Sequence, residues 1–337
     1  MTTQNIHSSI LEIINGIRVD SEIETRQLGR SKQDHVAHGH YSVDPNIHTF
    51  WMAGFDGHGG NHAINKIRNA PLDDIMQTPA YWADLQALID TDATVDAQTK
   101  LKSGATMVSA KAEISPTGIT VTITNIGDST IILFLNDEPI FVTTQQNYEN
   151  GVEMARLIKE NRVDSQAPLT KQGRNFQVIS PNTLRSIEGT YIAFVSPFGE
   201  QILAMSQSLG HRGITGLAPD ETTFRFNRTD KIKIVAFSDG VSDVLPVDGL
   251  AAASTFPFMT TPTALLDEAE RRWKQEWKVH FDTDLRKIFK TSFPTNGYDD
   301  CCCAMIAIEP FDAWNSVPPP CPPPEFTDTD GCGKEEE

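Results

Sequence analysis

The sequence predicts a mixed α+β fold in which strands carry the middle of the chain and amphipathic helices flank them. Three observations point there. Ile119, Val121 and Ile123 alternate with Thr120, Thr122 and Thr124, the period-two pattern of a half-buried strand. Two runs of strand length, His48 to Phe55 and Lys231 to Phe237, are largely apolar and lead into Asp-Gly pairs. Apolar residues recur at helical spacing after Thr78-Pro79 and again after Thr261-Pro262.

In chain order, His48 to Phe55 is apolar apart from its first two residues and reads as a buried strand. Thr78 followed by Pro79 is an N-cap and first-turn signature, with Trp82, Leu85 and Ile89 as the buried stripe of the helix. After the alternating strand, a short break at Gly127 to Ser129 leads into Thr130 to Leu135, so the run NIGDST is expected to join a hairpin. Asn136-Asp137 then turns the chain into Pro139 to Thr143, a second hairpin. Met154, Leu157 and Ile158 mark a short helix, and Asp164 to Gly189 is polar and reads as an irregular excursion. Lys231 to Phe237 places Ile232, Ile234 and Ala236 on one face. Thr261-Pro262 opens a helix with Leu266, Ala269, Trp273 and Trp277 as its stripe. From Ser316 the chain becomes PPPCPPP and then acidic, which cannot form a core. The expected organisation is therefore one folded body over residues 1–312 and a Pro-rich acidic tail over 313–337.

The chain has 337 residues and a formal charge of −17, with 39% hydrophobic and 22% charged residues. That composition supports a sizeable core, and the acidic balance argues against nucleic-acid or anionic-membrane partners, which need a basic face. No apolar run approaches the ~20 residues needed to span a bilayer, and the first residues lack the pattern of a signal peptide. Of five cysteines, Cys301, Cys302 and Cys303 are consecutive, which suits neither a disulfide framework nor spaced zinc ligands. Reduced thiols in a cytoplasmic protein are expected.

Four carboxylates share one local setting. Asp56 follows the strand ending at Phe55 and precedes Gly57 in FDGHGG; Asp239 follows the strand ending at Phe237 and precedes Gly240 in AFSDGVSDVL. Asp299 sits before the apolar run from Cys301 to Ile308, with Asp300 beside it, and Asp128 lies in NIGDST. A carboxylate leaving a buried strand is held rigidly yet reaches solvent, so several such ends could converge into a cage of hard oxygen ligands. Carboxylates with carbonyls and water suit Mg²⁺ or Mn²⁺ rather than zinc. Any one Asp-Gly is equally a turn dipeptide, and only the set changes the reading.

Taken in order, the chain resembles the protein phosphatase 2C family of metal-dependent Ser/Thr phosphatases, from about Gly29 to Ile308. The carrying motifs are GRSKQD (29–34), FDGHGG (55–60), SGAT (103–106), NIGDST (125–130), ILAMSQSLG (202–210), AFSDGVSDVL (236–245) and YDDCCCAMI (298–306). The resemblance implies an α/β/β/α sandwich of two antiparallel sheets with helices outside. It also implies two Mg²⁺ or Mn²⁺ ions, bridged by Asp56, bound by the Gly57 carbonyl and completed by Asp239 and Asp299. A weaker third site would use Asp128 with Asp239, and Gln33 and Asp34 would approach the ions through water. A hydroxide shared by the two ions would attack phosphoserine or phosphothreonine, with His58 as general acid. The sequence departs from the family in placing Gly29 where a phosphate-gripping arginine is usual, with Arg30 one position later, where a one-residue deletion would let its planar fork take the phosphate dianion, and Gln33 where Glu is usual. Gln207 and His211 stand where arginine and aspartate are usual, and the expected TxDH-like element is not recognisable in 143–150. The implied protein is a monomeric, cytoplasmic phosphatase of phosphorylated proteins. Two rivals stand beside it: a catalytically weak relative serving as a regulatory or binding module, and a metal hydrolase of small phosphoesters.

Overall fold

The computed structural model describes residues 6–29, 31–245, 261–281 and 284–311. Arg30 and the Pro-rich tail, 313–337, lie outside the described residues.

Two antiparallel sheets face each other. The first has six strands, in the order His7–Ile14, Ile17–Arg26, Cys301–Pro310, Ile232–Phe237, Thr130–Leu135 and Glu138–Val142. The second has five, in the order Asp220–Phe226, Gly118–Ile126, Met107–Ser115, Ile47–Phe55 and His35–Asp44. Their inner faces interdigitate: Ile119, Val121 and Ile123 pack with Ile232, Ile234, Ala236 and Cys302 in one apolar layer. The threonines alternating with those isoleucines face outward, where Thr122 and Thr223 hydroxyls meet at 3.2 Å across the strand pair. Ile232–Phe237 is apolar on both faces because its other face is covered too. Val235 and Phe237 pack under the helix Pro262–Lys274 with Leu265, Leu266 and Trp273. On the opposite outside, Trp51, Ala53 and Phe55 pack under the helices His62–Arg68 and Tyr81–Asp90 through Ile64, Ile67, Leu85 and Ile89. Helix, sheet, sheet, helix is the layer order, the sandwich expected from the resemblance.

The local signals explain most boundaries. Asn136 and Asp137 both take positive φ (51° and 69°), the conformation of a tight primed hairpin turn between Thr130–Leu135 and Glu138–Val142. Thr261 caps its helix by accepting the Ala264 N–H at 3.2 Å, with Pro262 in the first turn. The helix Gly151–Lys159 carries the expected Leu157 inward.

Four expectations need correction. Thr78 is not an N-cap: its hydroxyl donates to the Ile75 carbonyl and to Asp84, and the helix begins at Tyr81. Trp277 does not continue the helical stripe; the helix ends at Lys274, and Trp277 opens the strand Trp277–Phe281. Four-residue spacing from Trp273 imitates a helix because both indoles enter one core. The strands flanking NIGDST do not pair; they belong to opposite sheets, so the run is a crossover. The stretch 164–189 is not irregular: most of it forms a long hairpin of Leu169–Ser180 and Thr183–Phe194. The second strand of that hairpin pairs in parallel with Trp277–Phe281, which pairs with Asp284–Thr291. Leu169–Ser180 is solvated along most of its length, so it carries no alternation to read.

Candidate metal centre

Crossovers and strand ends from both sheets meet at one end of the sandwich. Asp56 leaves Ile47–Phe55, and its carbonyl is pinned by the Thr106 N–H at 2.9 Å. Gly57 follows in a short bridge opposite Ala105. A side chain there would stand 2.9 Å from the Gln33 carbonyl and from Ile64 Cβ, so glycine alone lets the two segments approach. Asp239 opens the short helix Asp239–Ser242 at the end of Ile232–Phe237. Gly240 makes that junction possible, because a Cβ there would fall 2.0 Å from the Asp300 carbonyl. Asp299 precedes Cys301–Pro310 on the neighbouring strand, and Asp128 comes from the crossover.

The carboxylates converge. Oxygens of Asp56, Asp128 and Asp239 lie within 4.8 Å of one another, and so do those of Asp239, Asp243 and Asp299. Asp239 belongs to both groups. Burial pushes Asp128 and Asp239 up to about 6 and Asp299 up to about 7, with neighbouring carboxylates adding to each. Asp34 and Asp56 are pushed well above the usual carboxylate range, by burial first and by the surrounding aspartates next. Asp128 Oδ1 and Asp239 Oδ1 are buried without a hydrogen-bond partner. Buried like charges with unspent lone pairs call for a cation. Hard, carboxylate-only donors fit a divalent ion of the Mg²⁺ or Mn²⁺ kind.

Gly29 and the segment 31–34 are built around Asp300, which is 1% exposed. Its carboxylate accepts from the Gly29 N–H at 2.6 Å, the Gln33 N–H at 2.8 Å and the Ser31 hydroxyl at 3.3 Å. Gln33 is thereby buried against Gly57, and Asp34 takes the Ser238 hydroxyl at 2.6 Å. Ser238 also receives the Cys302 N–H at 3.0 Å, linking this loop to the strands bearing Asp239 and Asp299.

His58 sits beside the centre in contact with a second imidazole. Its Nε2 is 2.8 Å from His211 Nε2, and the rings stack with centroids 4.9 Å apart. His211 is buried, with Nδ1 2.7 Å from the Leu101 carbonyl. Since a carbonyl only accepts, the His211 hydrogen is assigned to Nδ1, and His211 Nε2 then accepts from His58 Nε2–H. Burial first and the neighbouring His211 next lower His58 to about 3, and burial takes His211 to about 4, so both rings are neutral near pH 7. Gln207 makes a two-way pairing with the Ala218 backbone, donating to its carbonyl at 2.7 Å and accepting its N–H at 2.8 Å. It is a strut of the fold.

Sequence reasoning missed Asp243, although its spacing four residues after Asp239 within AFSDGVSDVL was a usable signal, one helical turn on the same face. It also missed Asp300 as the anchor of Gly29 and the segment 31–34. Cys301, Cys302 and Cys303 are all buried, and burial pushes every one of these thiols above its usual value. They pack the strand, as expected.

Beside the carboxylates lies a cavity of about 360 Å³, floored by Asp128, Asp239 and Asp243. Gln145 and Asn147 form one side of it, and the long hairpin forms the other.

An α/β/β/α sandwich that gathers five aspartates at one end presents a donor set suited to divalent cations. The family model for protein phosphatase 2C matches residues 19–252, and the chain belongs to that family. A serine-threonine phosphatase 2C from Toxoplasma gondii superposes with a TM-score of 0.52 at 13% identity, covering 91% of this chain and 99% of that one. A C. elegans sex determining protein gives 0.49 at 17% identity, over 90% of this chain and 68% of the other. The Mycobacterium tuberculosis serine/threonine phosphatase PstP/Ppp gives 0.41 at 15%, over 82% and 99%. At these identities the likeness is one of fold. No curated protein matches the sequence significantly.

Proposed function

We propose that this chain is a metal-dependent protein Ser/Thr phosphatase acting on phosphoserine and phosphothreonine in protein substrates. One observation carries the reading: Asp56, Asp128, the pair Asp239 and Asp243, and Asp299, drawn from four separate stretches of the chain, bring their oxygens together in two overlapping groups, with two of those oxygens buried and unpartnered. Asp56, Asp239 and Asp299, with the Gly57 carbonyl, would hold two Mg²⁺ or Mn²⁺ ions, and Asp128 with Asp239 a third, while Asp243 stands within reach of Asp239 and Asp299. When bound, such ions supply a low-pKa water and neutralise charge on the phosphoryl oxygens.

The chain's own residues do the rest. Asp34, held by Ser238, orients water at the edge of the centre. His58 keeps a hydrogen on Nε2, with His211 Nε2 as its resting acceptor; to act as general acid it would take a solvent proton at the unpartnered Nδ1, so that passing the Nε2 hydrogen to the leaving serine or threonine oxygen leaves a neutral ring. Neither a cysteine nor a serine nucleophile is needed, in keeping with the buried thiols.

The test is hydrolysis of p-nitrophenyl phosphate and of phosphoserine and phosphothreonine peptides by the full chain, with and without Mn²⁺ and with EDTA. Metal-dependent, EDTA-sensitive turnover of the peptides is expected. No turnover with any metal would refute the proposal, and turnover of sugar phosphates in place of peptides would redirect it.

A further inference from the structure

The cavity beside the carboxylates has an acidic floor and a wall that carries a positive charge. Among the described residues lining it, Arg174 is the only cation. It lies on the long hairpin, across from Glu188 in the strand register. Glu188 does not neutralise it: that carboxylate takes Lys171 Nζ at 2.6 Å. Arg174 donates one long hydrogen bond, 3.4 Å to the Ser186 hydroxyl, and its guanidinium lies 5.7 Å from the Phe281 ring. Most of its five N–H donors remain unspent.

The wall is also fixed relative to the floor. Phe176, two residues along, meets Phe293 edge to face at 5.6 Å, and Phe293 packs on Trp273 at 4.9 Å. Trp273 in turn donates its indole N–H to the Gly240 carbonyl at 2.8 Å, next to Asp239. Tyr191 braces the same wall by donating to Asn175 Oδ1 at 3.1 Å. A guanidinium is thus displayed at a set position over a cluster that cations would render attractive to anions.

We propose that Arg174 is a substrate-binding residue that grips an oxyanion entering this cleft. The oxyanion is either the phosphoryl group itself or a carboxylate flanking the phosphorylated residue; a planar fork serves both. The inference rests on the phosphatase reading of the acidic centre, and it commits to anionic substrate chemistry on the hairpin side.

The test compares wild type, R174A and R174K, all full-length and Mn²⁺-loaded, on three substrates. These are p-nitrophenyl phosphate, a phosphothreonine peptide flanked by Glu, and the same peptide flanked by Ala. A charged hydrogen bond of this kind predicts a loss of about tenfold in kcat/KM for R174A, mostly in KM, and incomplete rescue by R174K. Loss on all three substrates assigns the phosphoryl group, and loss confined to the Glu-flanked peptide assigns the carboxylate. Equal kinetics on all three overturns the proposal. Calorimetric binding of the two phosphopeptides to the same Mn²⁺-loaded proteins separates it from the activity question. Weaker binding by R174A in a protein that turns nothing over would uphold the proposal and sink the phosphatase assignment alone. Equal binding, or none by wild type, overturns it.

Discussion

Replacing Asp300 by Ala removes a carboxylate that belongs to neither group of candidate metal ligands and yet holds Gly29, Ser31 and Gln33 beside them. Two backbone N–H groups, those of Gly29 and Gln33, lose the carboxylate to which they donate. A buried donor left unsatisfied costs about 1–3 kcal/mol, so the pair costs roughly 2–6 kcal/mol. Against this, Asp300 repels Asp34 and Asp299, whose carboxyls it helps to raise, and removing that charge returns part of the loss. A net destabilisation of about 3 kcal/mol is expected, a drop in Tm of roughly 4–5 °C for a folded body of about 300 residues. Asp300→Asn keeps one acceptor oxygen but turns an amide N–H towards the second backbone donor, and should fall between wild type and Ala. Urea unfolding of the metal-free protein, read by tryptophan fluorescence and circular dichroism, measures all three. A loss below about 1 kcal/mol for Asp300→Ala would show that water or another group satisfies these donors, and that the loop is not anchored as described.

Asp239→Asn, at the carboxylate common to both groups, should abolish metal-dependent turnover while the circular dichroism spectrum stays that of wild type; a rate near wild type would remove Asp239 as a ligand. His58→Ala should slow phosphoserine peptides at least tenfold more than p-nitrophenyl phosphate, whose leaving group needs less help from an acid, and equal losses would take His58 out of that role. Metal and protons should also compete. A carboxyl with a raised folded pKa favours its neutral form in the fold, so metal-free stability from Asp128, Asp239 and Asp299 falls as pH climbs from near 3.8 towards 6–7. His58 and His211, lowered in the fold, act in the opposite sense, losing stability below about pH 6.5. Their contribution largely cancels when EDTA- and Mn²⁺-treated samples are compared at one pH. The Tm gap between the two treatments should therefore widen from pH 5 to pH 7.5, and a constant gap would show that Mn²⁺ does not bind at these carboxyls.

The mixed α+β character and most of the centre were legible in local grammar, whereas the layered sandwich was an implication of the family resemblance. Period-two alternation marked Gly118–Ile126, and an apolar run ending in Asp-Gly marked both Asp56 and Asp239. What was not legible depends on partners. Nothing within NIGDST distinguishes a hairpin from a crossing between sheets, since that is decided by Ile232–Phe237 pairing with Thr130–Leu135 about a hundred positions away. The long hairpin escaped notice because solvent meets most of one strand on both faces. His211 reads as a departure from an acidic family position until the fold lays its ring against His58, 153 residues distant. Asp300 looked like a companion of Asp299, and only the tertiary path of Gly29 and the segment 31–33 shows what it holds.

The placement of Cys301, Cys302 and Cys303 gives the molecule an internal clock for opening. They lie on a central strand, with Cys302 turned to the layer between the sheets and its two neighbours to the layer under the Pro262–Lys274 helix. An alkylating reagent reaches Cys302 only when the two sheets part, and Cys301 and Cys303 only when the helical cover lifts. Carbamidomethylation at those three positions, followed by peptide mass spectrometry, would time the parting of the two layers separately. If Cys301 and Cys303 were modified well before Cys302, the helical cover would lift away while the sandwich stayed shut.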